Sequence, residues 1–324
     1  MKGTDLDVLL AGLTARRPRD VGRAISVVER GGSEAAELIA RVTGKTGRAA
    51  LVGVTGPPGA GKSTLVDRLA RAWRALGETV GILAVDPTSP FSGGALLGDR
   101  IRMHELYTDP GVFIRSMATR GAMGGLTRAT RDAVDLLDAA GFDWVLVETV
   151  GVGQDEVDVV RAVDTVVVVT VPGLGDEIQA IKAGITEIAD IFVLNKCDRP
   201  GADATLRDLR ALLQMSEPRE WEPPIVQTVA SENRGVDELV AAIDRHREHL
   251  EQSGERSVRR LQQLRLRVET LLKERILDAA NRGHALDEEV ARGFERHEDP
   301  YALVERLFES AVRARPGNGR TRAR

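Results

Sequence analysis

The sequence predicts an α/β fold with a mostly parallel, doubly wound sheet, flanked by helical segments at both ends of the chain. Between residues 49 and 230, apolar stretches rich in β-branched residues alternate with segments of helical periodicity. Residues 166–169 are four consecutive valines, a pattern typical of a strand buried on both faces of a parallel sheet. A glycine-rich loop between the first apolar stretch and the following helix identifies this core as a P-loop NTPase.

The 324 residues exceed the usual size of one domain, so additions to the core are expected. We predict a helical segment over residues 1–47, a nucleotide-binding core over 48–250 and a C-terminal helical segment over 251–324 that ends in a basic, disordered tail. In the first segment, Leu6, Leu9 and Leu13 share one helix face, and Asp20 and Ser33 are predicted caps of a second and a third helix.

The composition indicates a cytoplasmic protein without a nucleic-acid or membrane partner. The formal net charge is −4, whereas proteins that bind nucleic acid usually carry a net positive charge or a basic patch. The single cysteine, Cys197, excludes an intramolecular disulfide and suggests a reducing compartment. No signal peptide and no apolar run of membrane-spanning length is found in the sequence.

Seven strands are predicted from the apolar stretches of the core. Their bounds are Ala49–Thr55, Val80–Asp86, Val112–Arg115, Trp144–Thr149, Thr165–Val171, Ile191–Asn195 and Ile225–Val229. In a doubly wound sheet, ligands bind at the carboxyl ends of the strands. The chemistry is therefore expected immediately after these strands.

The loop after the first strand has the sequence Gly-x-x-x-x-Gly-Lys-Ser. Its glycines allow positive φ angles, so successive N–H groups can surround a polyphosphate at a helix N-terminus. Lys62 adds a positive charge for the β- and γ-phosphates, and Ser63 is placed to ligate Mg²⁺. The predicted phosphate-binding residues are Gly56, Pro57, Pro58, Gly59, Ala60, Gly61, Lys62, Ser63 and Thr64.

Three further loops carry groups that could act on the nucleotide. Asp86 and Asp99 lie in a segment rich in proline, glycine and serine, which is either a switch loop or a turn with solvated acids. Glu148 ends a buried strand and could hold Mg²⁺ through water, although a helix cap is the alternative; the N–H of Gly151 could then contact the γ-phosphate. Asp176 and Lys182 follow another strand, where ordinary loop charges remain an alternative.

The sixth strand ends in Asn-Lys-Cys-Asp, which is the guanine-reading motif when it lies downstream of a P-loop. The Asp198 carboxylate can accept from guanine N1–H and the exocyclic amine, whereas adenine has no N1–H. Asn195 and Lys196 are expected to fix the surrounding loops. After the seventh strand, backbone N–H groups of the segment Ala230, Ser231 and Glu232 could contact the base oxygen.

The C-terminal segment carries a repeating apolar pattern. Leu261, Leu264, Val268 and Leu271 form a seam that suits another helix, either in packing on the core or in a dimer contact. The five histidines make no metal motif, and His246 and His249 are predicted to lie on a solvated helix face.

These motifs together resemble the methylmalonyl-CoA mutase-associated GTPases, the MeaB/ArgK-like G proteins that accompany B12-dependent acyl-CoA mutases. The resemblance rests on the P-loop and on five other segments. These are residues 86–90 (Asp-Pro-Thr-Ser-Pro), 98–103 (Gly-Asp-Arg-Ile-Arg-Met), 148–154 (Glu-Thr-Val-Gly-Val-Gly-Gln), 172–173 (Pro-Gly) with 175–176 (Gly-Asp), and 188–191 (Ile-Ala-Asp-Ile) with 195–198 (Asn-Lys-Cys-Asp). Matching motifs occur throughout the predicted nucleotide-binding core. The helical ends agree with the family in the arrangement of their helices but carry no matching motif.

The resemblance implies GTP hydrolysis with Mg²⁺, a homodimer formed by the C-terminal helices, and service to a B12-dependent acyl-CoA mutase. That service would be to gate adenosylcobalamin loading and to protect or reactivate the mutase. By position, it places Ser63, Asp86, Asp99 and Glu148 in the metal and switch regions, and Asp176 and Lys182 in a third switch loop. Val152 stands where Ras-like GTPases carry glutamine, so slow intrinsic turnover is expected.

Three other functions are considered from the same residues. A nucleotide-dependent kinase or ATPase linked to lysine, arginine and ornithine transport would have to bind ATP, which the guanine motif disfavours. A metal-insertion GTPase would need Cys and His ligands, and a scaffold would bind GTP without turnover. The sequence favours the mutase chaperone.

Overall fold

The structure is a computed structural model, and it describes residues 3–86, 106–118, 128–149, 162–173, 188–215, 219–281 and 285–313. These residues belong to two compact units, Met1–Arg259 and Arg260–Arg324.

The first unit contains a seven-stranded parallel sheet. Its strands are β1 (Ala50–Thr55), β2 (Val80–Asp86), β3 (Val112–Ala118), β4 (Trp144–Thr149), β5 (Thr165–Thr170), β6 (Ile191–Asn195) and β7 (Ile225–Thr228). Their order across the sheet is β3-β2-β4-β1-β5-β6-β7, and every pairing is parallel. All seven predicted strands are present, and the predicted fold class is confirmed. The largest difference is at β3, which continues three residues beyond the predicted end.

The helices of the described residues are α1 (Gly3–Thr14), α2 (Pro18–Arg30), α3 (Gly32–Val42), α4 (Lys62–Ala75), α5 (Arg128–Ala139), α6 (Ala202–Gln214), α7 (Val236–Ser253), α8 (Glu255–Ala280), α9 (Ala285–Arg296) and α10 (Pro300–Arg313). Short 3₁₀ turns are formed by Thr43–Lys45, Leu106–Thr108 and Ala230–Glu232. Helix α8 begins in the first unit and extends into the second.

Both faces of the sheet are covered by helices. On one face, apolar side chains of α1, α2, α3 and α5 join those of the strands in a single core cluster, which includes Leu9, Ile25 and Leu38. On the other face, α4 and α7 cover the sheet through residues such as Leu65, Leu69 and Ile243. Burial on both faces is the physical reason why the strand sequences are apolar throughout rather than alternating.

Two indole rings join α4 to the sheet. Trp73 of α4 stacks on Trp144 of β4, with ring centroids 4.0 Å apart and an interplanar angle of 8°. Both side chains are fully buried. The stack fixes the helix that begins with Lys62, a predicted phosphate-binding residue, against the strand that contains Glu148.

The predicted caps of α2 and α3 are wrong. Helix α2 begins at Pro18, whose fixed φ suits the first helical position, and Asp20 lies in the first turn, where its carboxylate pairs with Arg17 at 2.9 Å. Helix α3 begins at Gly32, directly after Gly31 with φ 72°. A glycine with positive φ therefore separates these helices, and Ser33 is already helical.

No helix among the described residues is long and apolar enough to cross a membrane.

The second unit contains most of α8 together with α9 and α10. Many of its large apolar side chains are exposed, including Leu261, Leu264 and Val268 of α8, Phe294 of α9 and Tyr301 of α10. Within the unit, α9 packs against α10. An apolar surface of this kind is typical of a segment that binds another protein surface.

Candidate nucleotide-binding site

The glycine-rich loop lies between β1 and α4, and its backbone requires glycine at two positions. Gly56 has φ 137°, and a Cβ atom there would lie 2.0 Å from the carbonyl oxygen of Val169 in β5. Gly61 has φ 93°, and a Cβ atom there would lie 2.4 Å from Nδ2 of Asn195. Larger residues would therefore collide with the neighbouring strand and with the guanine motif.

Lys62 is the first residue of α4, and its side chain is buried. Its ammonium group donates to the carbonyl oxygens of Gly56 and Pro57, at 2.6 and 2.9 Å. Through these bonds the Lys62 ammonium group lies against the glycine-rich loop that precedes α4. Positive charge, helix dipole and loop N–H groups together make this position suitable for an anion.

Ser63 and Glu148 bring two oxygen ligands together beside the loop. The Ser63 hydroxyl donates to Oε1 of Glu148 at 2.6 Å, and the Glu148 side chain is only 6% exposed. A hydroxyl oxygen and a buried carboxylate form the hard donor set that Mg²⁺ prefers. The predicted magnesium position therefore has a compatible set of side chains.

Asp86 is the last residue of β2, the strand next to β4. In the register of these strands Ala84 pairs with Glu148, so Asp86 lies two residues farther along at the same edge of the sheet. Its side chain is outside the described part of the structure. The other predicted switch residues, Asp99, Gly151, Asp176 and Lys182, also lie outside the described residues.

Asn195 connects three parts of the site through a buried side chain. Its Nδ2 donates to the carbonyl oxygen of Ala60 in the P-loop at 2.8 Å. Its Oδ1 accepts from the Thr228 hydroxyl at 3.0 Å and from the Ala230 backbone N–H at 3.1 Å. Asn195 therefore joins the glycine-rich loop to the segment that follows β7.

Lys196 and Asp198 occupy the turn after β6. Lys196 has φ 59°, and its ammonium group donates to the carbonyl oxygen of Gly59 at 2.6 Å. The Cys197 N–H donates to the carbonyl oxygen of Thr228 at 3.1 Å, which holds the turn against β7. The Asp198 side chain is exposed, so its carboxylate is accessible to a base.

The segment Ala230–Glu232 is a 3₁₀ turn, in which Ala230 is buried and the other two residues are exposed. Arg68 of α4 donates to its carbonyl oxygens. Sequence reasoning missed this arginine, because 162 residues separate it from Ala230 and its position in the P-loop helix gives no sign of a loop contact.

A second polar cluster lies at the amino ends of β5 and β6, at the opposite edge of the sheet. The prediction that His246 is solvated is wrong: its side chain is fully buried, with Nδ1 2.9 Å from the Thr165 hydroxyl and Nε2 3.3 Å from Asp190. Arg259, in the first turns of α8, donates to both carboxylate oxygens of Asp190, at 2.9 and 2.8 Å. His246 is therefore part of a packed structural cluster.

Burial of Asp190 would raise the pKa of its carboxyl group, but hydrogen bonds and positive charge from His246 and Arg259 outweigh burial. The pKa of Asp190 therefore lies below its ordinary value. Burial would lower the pKa of Arg259, but hydrogen bonds to the negative charges of Asp190 and Glu255 raise it above its ordinary value. The pair is thus ionised in the folded protein at neutral pH.

Among the described residues, no three or more His, Cys, Asp or Glu side chains are arranged to hold a metal ion. A magnesium site built on the Ser63 hydroxyl and on the predicted switch residues outside the described ranges is a different arrangement from such a cluster.

The comparisons with known proteins agree with this geometry. The family described as "Methylmalonyl Co-A mutase-associated GTPase MeaB" matches residues 21–285. A putative GTPase of Pyrococcus abyssi is 48% identical over 314 residues, covering 95% of this chain and 97% of that protein. The mouse protein named "Methylmalonic aciduria type A homolog, mitochondrial" is 38% identical over 232 residues, covering 70% of this chain and 56% of that protein.

A similar solved structure is entitled "Crystal structure of LAO/AO transport system kinase". It has a TM-score of 0.72 and 26% sequence identity, and the match covers 95% of this chain and 98% of that one. The GTPase ArgK of Escherichia coli is 38% identical over 250 residues, which covers 74% of this chain and 72% of that protein.

Proposed function

The chain belongs to the methylmalonyl-CoA mutase-associated GTPase family, and from this membership we propose that its GTPase cycle serves a B12-dependent acyl-CoA mutase. The chain is a GTPase, and its P-loop core binds guanine nucleotides. The single observation that carries the proposed service is the family match over residues 21–285, which spans the whole nucleotide-binding core. In this role the protein gates the loading of adenosylcobalamin and protects or reactivates the mutase.

The contacts of the site support a cycle driven by phosphate and Mg²⁺. Lys62 would bind the β- and γ-phosphates, while Ser63 and Glu148, with Asp86 and Asp99, would hold Mg²⁺. When bound, the ion neutralises charge on the phosphate oxygens. Because the Ser63 hydroxyl donates to Glu148 at 2.6 Å, a ligand that binds the Ser63 oxygen would compete with that hydrogen bond. Glu148 can thereby transmit the state of the site to the chain that follows β4.

The residue after Gly151 is valine, so this chain lacks the glutamine that orients the attacking water in Ras-like GTPases. A GTPase without that group hydrolyses GTP slowly until another group orients the water. In our proposal the mutase supplies or orders it. Hydrolysis then occurs when the partner is engaged, and the nucleotide acts as a timer.

We expect a B12-dependent acyl-CoA mutase from the same source to accelerate GTP hydrolysis by the purified protein several-fold. Phosphate release would be measured for the protein alone, for the mutase alone and for the mixture, with ATP in parallel. An unrelated CoA-binding enzyme serves as the control for non-specific effects. Unchanged GTP turnover across the candidate mutases would contradict the proposed service and leave only the GTPase activity.

The likeness to a structure entitled a transport system kinase favours one second candidate, a nucleotide-dependent kinase linked to amino-acid transport. The two functions differ in the nucleotide and in the fate of the phosphate. A kinase would transfer the γ-phosphate of ATP to an acceptor protein, whereas the chaperone releases phosphate from GTP. Competition of each nucleotide against labelled GTP separates them directly.

We further propose that the protein is a homodimer formed through its C-terminal helices. The apolar seam of α8 is exposed, with Leu261 at 68%, Leu264 at 56% and Val268 at 54%. Burying such side chains releases about 25 cal/mol per Å² of apolar surface, so a seam of this length favours association with a matching seam. A second copy of the chain supplies that partner by symmetry.

Leu264→Glu is expected to convert the dimer to a monomer, because it places a charge in the centre of the seam. Light scattering after size-exclusion chromatography measures the mass. Lys273→Glu is the matched control, since it changes charge on the opposite side of α8 by helical periodicity. A Leu264→Glu protein that remains dimeric would exclude this seam as the interface, and GTP turnover shows that the core is intact.

A further inference from the structure

Arg68 links the P-loop helix to the segment predicted to contact the guanine oxygen. It lies in α4, six residues after Lys62, and is half-buried. Its Nε donates to the carbonyl oxygen of Ala230 at 3.0 Å, and its Nη2 donates to the carbonyl oxygen of Ser231 at 3.1 Å. No carboxylate among the described residues forms an ion pair with Arg68, so these carbonyl groups are its polar partners there.

The three backbone N–H groups of this turn differ in availability. The Ala230 N–H donates to Oδ1 of Asn195 at 3.1 Å, and the Glu232 N–H donates to the carbonyl oxygen of Val229 at 2.9 Å. Within the described part of the chain, nothing accepts from the Ser231 N–H. Of the three groups considered for the base oxygen, the Ser231 N–H is therefore the one available for a ligand.

The Ser231 N–H belongs to the same peptide group as the Ala230 carbonyl, to which Arg68 donates, so Arg68 also influences the direction of this N–H. The peptide between Ala230 and Ser231 contains the Ala230 carbonyl and the Ser231 N–H, which point in opposite directions in a planar trans peptide. Arg68 at 3.0 Å and the Asn233 N–H at 3.3 Å both donate to this carbonyl, so the carbonyl is fixed on one side and the Ser231 N–H is presented on the other. A second bond to Ser231 prevents rotation of the next peptide, and a charged donor makes both bonds stronger than neutral ones.

We propose that Arg68 is a positioning residue for guanine recognition, which holds the Ala230–Ser231 peptide so that the Ser231 N–H donates to the base oxygen O6. Asn195 holds the turn through the Ala230 N–H, and Arg68 holds it from the side of α4. The base pocket is thereby fixed to the helix that binds the phosphates. This inference rests on the GTPase site and does not depend on the mutase.

Arg68→Ala is expected to weaken GDP binding about tenfold, because the Ser231 N–H is no longer held in place. Calorimetry would measure Kd for GDP, for inosine diphosphate, which retains O6, and for 6-thioguanosine diphosphate, which replaces O6 by a poor acceptor. The loss should be the same for GDP and inosine diphosphate and should be much smaller for the thio analogue. GTP turnover at saturation should stay within about twofold of the wild type, because the phosphates are bound elsewhere.

Two variants complete the test. Arg68→Lys retains one positive donor and should recover part of the affinity, while Arg71→Ala on the same helix, which loses the pair with Asp67 at 2.8 Å, should bind GDP like the wild type. An equal loss for all three nucleotides would overturn the proposal, since it would show general loosening of the loop. Unchanged GDP affinity in Arg68→Ala would overturn it as well. The GDP affinity of Asp198→Asn, measured in parallel, tests the guanine motif itself. A loss in Asp198→Asn without a loss in Arg68→Ala would leave the guanine-binding site intact and overturn only the role of Arg68.

Discussion

Asp198→Asn is expected to lower the affinity for GTP by at least about a hundredfold and to create a preference for xanthosine triphosphate. In the predicted guanine contact, the carboxylate accepts from N1–H and from the exocyclic amine. An asparagine amide can still accept from N1–H, but its NH₂ group then faces the amine, and two donors oppose each other. Xanthine carries an oxygen at that position, which the amide can bind.

The surrounding structure should survive this substitution. Asp198 is exposed, and the backbone bonds that hold its turn come from the Cys197 N–H and from the Arg199 N–H, which donates to Lys196 at 3.0 Å. Competition of GTP, xanthosine triphosphate and ATP against a fluorescent nucleotide measures the change. Asp203→Asn, an exposed acid in the first turn of α6, is the matched control. A variant that still prefers GTP over xanthosine triphosphate would show that another residue reads the base.

Asp190→Asn is expected to reduce the free energy of unfolding by about 3 kcal/mol at neutral pH. The carboxylate is buried and accepts two bonds from Arg259 and one from the Val166 N–H at 2.8 Å. Replacing it removes the more buried of the two carboxylates that pair with the Arg259 guanidinium and leaves only Glu255, which costs more than the loss of a surface pair would. Urea unfolding followed by circular dichroism gives the difference, and Asp208→Asn on the exposed side of α6 serves as the control.

The same variant has a predicted pH dependence. The pKa of Asp190 is lower in the folded protein than its ordinary value of 3.8, so the folded state binds fewer protons there than the unfolded state. The carboxylate therefore stabilises the protein fully above pH 3.8 and loses this effect as the pH falls through the lowered pKa. The difference between wild type and Asp190→Asn should be full at about pH 5 and smaller at about pH 3. A constant difference would contradict the ionised pair.

The sequence predicts the sheet well because its strands are buried on both faces. Such strands must be apolar at every position, and a local apolar run is visible without knowledge of the partner strands. The phosphate loop is equally local, since the glycines, Lys62 and Ser63 lie in one segment. The predicted caps of α2 and α3 were wrong because several residues in each segment could begin a helix. The fixed φ of Pro18 and the positive φ of Gly31 determine where the helices begin.

Residues that act across the fold are harder to predict. Arg68 and Arg259 carry no local sign of their roles, because their partners lie far away in the sequence and are backbone carbonyls or a buried acid. His246 was assigned to the surface because its sequence neighbours are charged. The structure reverses that interpretation, since α7 turns this one position toward Thr165 and Asp190. Tertiary contacts decide the environment of such residues, and a single sequence does not contain them.

The stacked indoles of Trp73 and Trp144 give the protein an internal optical probe. Parallel rings 4.0 Å apart share their excited states, so the pair should produce a coupled circular dichroism signal distinct from that of the third tryptophan, Trp221. One ring belongs to the helix that starts at Lys62 and the other to the strand that ends at Glu148 and Thr149. Any rearrangement between them on nucleotide binding would therefore change the spectrum of the unlabelled protein and could be followed in real time.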